Sequence, residues 1–219
     1  MSLSELWSLY GQNYIDALLA TWGMTLESFA IAMVLAVAVT VIRVSPLKPL
    51  RVFGDLYVQV FRNIPGIALL IIVVYALPPL KVVLPYRTCV IVATVLLGSA
   101  FGSENFMSGI NTVGVGQVEA ARSLGMSFSR ILAKIVIPQA LRSSVLPMTN
   151  LFIAVMLTTA LGSQVPLQPQ ELTGVVSYIN TRSLGGVAAF FISALGYLGT
   201  AFVVSHIGNY IDKKVRILR

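Results

Sequence analysis

The chain has 219 residues, of which 57% are apolar and only 11% charged, and its mean hydropathy is +0.87. A water-soluble domain carries about 25% charged residues, so a soluble globular domain is excluded and the solvent for most of this surface is lipid. The formal charge of +7 is scattered singly or set beside apolar runs. No compact basic face with interleaved aromatics exists, so the charge signals membrane orientation and nucleic acid is not a partner.

Residues 1–18 contain Glu5 and Asp16 but no Lys or Arg, unlike the basic start of a cleaved signal. They are expected to form a short amphipathic segment whose Trp7, Tyr10 and Tyr14 suit the membrane interface. A spanning helix needs about 20 mostly apolar residues, and five stretches qualify. The first covers residues 19–42 and stops before Arg43-Val44-Ser45-Pro46; the second covers 55–77 and stops at Pro78-Pro79. The third covers 86–106. The fourth, 143–161, is irregular, with Pro147 near its start. The fifth covers 186–211, where Ser193, Gly196 and Gly199 favour close helix packing. A basic tail, residues 213–219, follows. The expected fold is therefore all-α, one membrane domain over residues 19–212 with no repeat and no low-complexity linker.

Orientation follows from the basic residues. With the N-terminus outside, the inner segments hold Arg43, Lys48, Arg51, Arg122, Arg130, Lys134, Arg142, Lys213, Lys214, Arg216 and Arg219. The outer segments hold only Lys81, Arg87 and Arg182, a strong positive-inside bias. Cys89 lies alone in an apolar run and is expected to be a small buried hydrophobe. His206 has no second ligand type and no nucleophile nearby in sequence, so it is taken as structural. No Gly-x-x-x-x-Gly-Lys-Ser/Thr phosphate loop occurs; if ATP drives this protein, another chain binds it.

One segment is foreign to a lipid environment. Gly116-Gln117-Val118-Glu119-Ala120-Ala121-Arg122-Ser123-Leu124-Gly125 is too short and too polar to span, and Ile135-Val136-Ile137-Pro138 follows. Ala120 and Ala121 permit close backbone approach to a partner, and Gly125 can end the helix in a left-handed conformation. Taken by periodicity alone, the run could equally be a connector lying on the membrane surface. Its spacing, however, resembles the cytoplasmic signature of ABC-importer permeases: Glu-Ala-Ala, three residues, Gly, nine residues, Ile, one residue, Leu, Pro. Ile137 stands in for the Leu.

Further motifs are similar to those of the polar amino-acid uptake permeases: Gly23-Met24-Thr25-Leu26-Glu27-Ser28, Arg62-Asn63-Ile64-Pro65, Gly109-Ile110, Gly116-Gln117 and Pro138-Gln139-Ala140. Arg43-Val44-Ser45-Pro46-Leu47-Lys48 followed by Arg62-Asn63 looks most like the glutamate type. The resemblance implies a type I importer permease in a bacterial inner membrane, with about five spans and a cytoplasmic coupling helix near 116–125. It implies no cofactor in this chain; ATP and Mg²⁺ sit on a cytoplasmic ATPase dimer, and an external solute-binding protein delivers a glutamate- or glutamine-like amino acid. A second permease subunit completes the pathway. Coupling then falls to Gly116, Gln117, Glu119, Ala120, Ala121, Arg122, Gly125 and Pro138. The substrate pathway falls to Arg62, Asn63, Pro65, Glu104, Thr158 and Thr159. Departures exist: Met107 replaces a customary basic residue, Gly66 a Leu, Leu69 a nearby Gln, and Met156-Leu157 precedes the threonines in place of Lys-Asn. Two explanations are open, a non-binding half of a related heterodimer, which is preferred, or a nonspecific pathway.

Each polar candidate has a plainer reading as well. Arg62 could meet a substrate carboxylate bidentately, or pair with Asp55 or Glu104, or snorkel to the interface. Glu104 is better read as one member of an ion pair or as a helix cap, and Glu27 as bonded to a neighbouring helix. Thr158 and Thr159 most simply bond back to their own helix. A stand-alone secondary carrier or channel is the alternative of another class, and a membrane scaffold a third; neither has a use for the Glu-Ala-Ala segment.

Overall fold

The structure, a computed structural model, describes residues 3–182 and 186–215; of the tail, 216–219 lie outside the described residues. Among the described residues ten α-helices follow one another: α1 Leu3–Arg43, α2 Lys48–Asn63, α3 Gly66–Ile71, α4 Tyr86–Asn111, α5 Val115–Ser123, α6 Phe128–Ile131, α7 Ile137–Ser143, α8 Val145–Thr158, α9 Leu172–Asn180 and α10 Gly186–Val215. Among the described residues, four helical stretches are long and apolar enough to cross a membrane: α1, α4, α8 with its tightened 3₁₀ extension to Gln164, and α10. The bent pair α2 and α3 adds a fifth if counted as one span.

The first expectation to change is the N-terminal segment. Residues 3–43 form a single helix without a break at 18. One face of its first turns is packed, Leu6, Tyr14 and Ala17 being buried against Leu172, Val175, Ile179 and Ala189, while Trp7 stays 53% exposed on the other. Tyr14 is not an interface anchor, because its hydroxyl donates to Ala189 O at 3.0 Å.

The second correction concerns residues 55–77. They are not one straight span, for α2 and the helical stretch beginning at Gly66 meet at 103°. Pro65 has no N–H and holds Ile64 extended (φ −81°, ψ 131°), as the residue before a proline must be. The stretch 66–80 then widens into a π turn at Ile72–Ala76 and ends in a 3₁₀ turn over Pro78–Leu80.

Cross-helix contacts fix the directions. Glu27 faces Arg87, and Thr40 bonds Ser103, so α1 and α4 run parallel. Tyr14 and Trp22 contact Ala189 and Thr200, so α10 runs the same way. A Cβ on Gly98 would meet Val155 and one on Gly102 would meet Leu151, so α8 runs opposite to α4. Arg43, Lys213, Lys214 and the basic residues from Arg122 to Arg142 consequently gather at one end of the bundle.

Small residues make this packing possible. Ala32 and Ala36, one turn apart on α1, face Gly98 and Gly102, one turn apart on α4, and close approach of this kind holds helices together in lipid. On α10 the expectation for Gly199 fails: nothing lies within 4 Å of a Cβ there, and it borders a groove between α1, α8 and α10. Gly208 makes the close crossing instead, against Thr149. Cys89 is buried in the apolar cluster built from α3 and α4. His206 stacks on Phe202 of its own helix.

Candidate functional site

Two places gather the polar residues. The first is the knob at the basic end. From Val115 to Ser123 the chain is α-helical, and it stops in a Schellman arrangement: Met126 N donates to Ala121 O at 3.1 Å and Gly125 N to Arg122 O at 2.9 Å. Gly125 takes φ +74°, a conformation that a side chain resists. The inner side of the knob is sealed by a small core of Val113, Ala121, Ile131 and Val136, with Val118 and Met126 packed on it. Ala121 is therefore turned into its own chain and offers no surface to a partner. Gly116, Gln117, Glu119, Ala120, Arg122, Gly125 and Pro138 are exposed. Beside them Val115 is 71% and Leu124 83% exposed; sequence reasoning did not single out Val115.

The knob is tied to α7 by one side-chain bond, Gln139 Nε2 donating to Gln117 Oε1 at 2.7 Å. Arg122 stands in the last turn of α5, where a cation suits the helix dipole.

The second place is where α1, α2 and α4 meet. Arg43 is mostly buried and tied to three side chains: Nε donates to Asp55 Oδ1 at 2.8 Å, and Nη1 lies 3.1 Å from Glu104 Oε2 and 3.2 Å from Ser103 Oγ. Arg62 also reaches Glu104, but at 3.6 Å, and its guanidinium lies over the Phe101 ring at 5.4 Å. The two arginines and two carboxylates balance in charge. Of the two arginines, Arg62 is the more exposed and borders open space.

That space is a cleft of about 570 Å³ between the bend after α2, α4 and the end of α8, lined by Arg62, Phe101, Thr158 and Gln164 among apolar side chains such as Ile67 and Leu157. Of the six pathway residues named from sequence, the cleft brings together Arg62 and Thr158. Asn63 donates back to Gln59 O at 2.6 Å, and Pro65 makes the bend. Glu104 is held between the two arginines. Thr159 is buried and bonds back to Met156 O. Thr158 donates to Ala154 O while lining the cleft. Phe101 and Gln164 were missed; a polar residue in the last turn of an apolar span was the available signal for Gln164. Glu27, lacking a partner nearby in sequence, bonds Arg87 of α4 at 2.7 Å.

Sequence reasoning also assigned nothing to Glu171, which is fully buried. Its carboxylate caps α9, accepting from Thr173 N and Gly174 N at 2.6 Å, and from Tyr197 Oη of α10 at 2.9 Å. Burial pushes the Glu171 carboxyl above the usual carboxylate range, and these donors pull it partly back. A folded-state value raised in this way means more protons bound in the folded state. The contribution is complete below the ordinary carboxylate pKa and is lost as pH rises through the raised value. Glu171→Gln is expected to flatten that dependence. Glu171→Ala is expected to cost about 1–2 kcal/mol at acidic pH through the lost cap. Thermal midpoints in detergent between pH 4 and 8 measure both, and parallel curves for wild type and Glu171→Gln would contradict the first.

Comparison with known proteins agrees with this architecture. Residues 28–217 match the family described as binding-protein-dependent transport system inner membrane component. The glutamate transport system permease protein GluC of Corynebacterium efficiens is 32% identical over 208 residues, covering 90% of this chain and 91% of that one. The L-cystine transport system permease protein TcyB of Bacillus subtilis is 31% identical, covering 95% of this chain and 91% of its own. The probable glutamine ABC transporter permease protein GlnM of the same bacterium is 31% identical, covering 97% and 96%. Among solved structures, an amino acid ABC transporter crystallised with histidines superposes with a TM-score of 0.91 over 98% of this chain at 23% identity. An inward-facing MetNI methionine transporter gives 0.75 at 19%; both carry the fold alone. Since the family match runs from the middle of α1 into the tail and the relatives align along nearly their whole length, the chain belongs to the binding-protein-dependent transport system inner membrane components.

Proposed function

We propose that this chain is a membrane-spanning permease subunit of an ATP-driven importer for a polar amino acid of the glutamate or glutamine kind. The observation that carries the reading is the knob around α5. It is rigidly capped, backed by its own small core, and set at the basic end of the bundle with charged and apolar groups outward. On the positive-inside rule that end is cytoplasmic and the N-terminus outside. Glu119, Ala120, Arg122 and Gly125, flanked by Val115 and Leu124, form the seat for an ATPase dimer that holds ATP and Mg²⁺. Gly116 and Gln117 lead into that seat, and Pro138 opens the helix behind it.

The cleft supplies the reading of substrate class. Arg62 offers a fork of donors to a carboxylate, and Gln164 and Thr158 offer uncharged polar groups. Glu104, the carboxylate beside it, is already shared by two arginines, so a cationic side chain finds no free counter-ion among the described lining residues. Relatives that carry glutamate, glutamine and cystine in their names lend support. A second permease subunit, related to this one, and an external solute-binding protein complete the assembly, embedded in bilayer lipid.

Co-purification tests the core of this reading. The wild-type chain is expected to carry a soluble ATPase through purification, and Glu119→Lys is expected to lose it while inserting normally, because a like charge opposes the seat. An unchanged ATPase yield with Glu119→Lys, together with unchanged uptake, would remove the assignment of α5.

A further inference from the structure

We infer that Gln139 is a positioning residue for coupling: it sets the angle of α5 against α7, and a glycine crossing passes that angle on to α4. The inference rests on the importer reading and adds a residue that the reading does not use. Both amide hydrogens of Gln139 are spent, one on Gln117 Oε1 at 2.7 Å and one on Ile135 O at 3.0 Å. The second bond anchors the amide to the π turn Leu132–Val136 that leads into α7, so it acts as a braced strut rather than a loose tether. Gln139 is half-buried, which limits competition from water.

Behind the strut, α7 lies against α4 at backbone contact. A Cβ added to Gly109 would sit 2.7 Å from Ala140 O and collide with Ser144 Oγ. Ser144 Oγ reaches Asn105 O at 3.4 Å, and Thr112 pairs with Ser143 at 3.1 Å. Two helices locked this closely cannot slide without breaking several bonds at once. Five residues before Gly109 on α4 stands Glu104, which holds Arg62 at the cleft. A tilt of α5 therefore has a stiff route to the cleft, and the strut is its thinnest member. Contiguity alone does not establish coupling; a change in the ratio of solute moved to ATP spent does.

The experiment uses the whole complex in proteoliposomes, with binding protein added and labelled L-glutamine, L-glutamate and L-cystine as probes, following whichever the wild type accumulates. Gln139→Leu is expected to retain its ATPase and its ATP hydrolysis. Solute moved per ATP is expected to fall about fivefold, the factor that one net hydrogen bond carries. Gln139→Lys alone is expected to fall likewise, and Gln139→Lys with Gln117→Glu to recover, since a charged pair spans the same gap. A purely structural role would lower the amount of complex and leave the ratio alone. The proposal is overturned by an unchanged ratio in Gln139→Leu, by a double variant no better than the single, or by loss of the ATPase from Gln139→Leu, which would make Gln139 part of the seat itself. A wild-type chain that binds no ATPase overturns the importer reading, and this inference with it.

Discussion

Gly102→Leu is expected to lower the thermal midpoint of the detergent-solubilised chain by at least 6–12 °C and to cut the yield of folded protein. The added side chain has nowhere to go. Its Cβ alone would lie 2.8 Å from the Cβ of Ala36 and 3.3 Å from Leu151, between the two helices, α1 and α4, that share the longest seam of the bundle. Neither neighbour is the far end of a flexible chain on the Ala36 side, so the helices themselves must part. Overpacking costs about 1–3 kcal/mol where side chains can adjust, and the upper figure or more applies where backbones set the gap. About 3 kcal/mol translates to roughly 6–12 °C for a domain of this size. Gly199→Leu is the matched control: the same residue change on another spanning helix, at a site with nothing within 4 Å of the new Cβ. Equal midpoints for the two variants would show that helix approach at Gly102 is not what holds α1 to α4.

Arg62→Ala separates transport from folding. Removing Arg62 leaves no carboxylate stranded, because Arg43 still holds Glu104 at 3.1 Å and Asp55 at 2.8 Å. The chain is expected to insert, to keep its midpoint within a degree or two, and to retain its ATPase. Uptake is expected to fall about 10- to 100-fold, the loss that follows from about 1.5–3 kcal/mol of charge-assisted bonding to a substrate carboxylate. Arg62→Lys is expected to recover little, since a point charge cannot reproduce a planar fork over Phe101. Arg43→Ala should do the reverse. It removes a mostly buried side chain that ties α1 to α2 through Asp55 and to α4 through Glu104 and Ser103, and destabilisation precedes any effect on transport. Uptake at the wild-type rate by Arg62→Ala would remove the cleft from the pathway. A midpoint loss in Arg62→Ala equal to that of Arg43→Ala would make Arg62 a structural partner of Glu104.

These contrasts also mark how far one dimension reaches. The spans at 86–106 and 186–211 were legible because each is a long apolar run with no internal proline, and local hydropathy decides such cases. The capped knob was legible because Gly125 and the polar turn before it act within a few residues of chain. The bend at Ile64-Pro65 was written in the sequence as a proline, yet the apolar run on both sides concealed its size. Helix α9 was missed entirely. It is short, and its stability comes from the buried Glu171 cap braced by Tyr197 and from the packing of Leu6 and Tyr14, side chains on two other helices. Tyr14 was misjudged for the same reason: an aromatic residue near a terminus suits an interface unless a distant helix covers it.

Local chemistry, read from the order of residues, determined that this chain lives in lipid, that its helices number about five across the bilayer, and that one charged helix near residue 120 stands outside them. Which charges neutralise one another, which of two arginines borders the cleft, and which small residues let helices touch were decided only in three dimensions. Ion pairs such as Arg43 with Glu104 and crossings such as Gly102 on Ala36 join residues some sixty positions apart. Apolar periodicity records only that a helix has a buried side, and not which helix buries it.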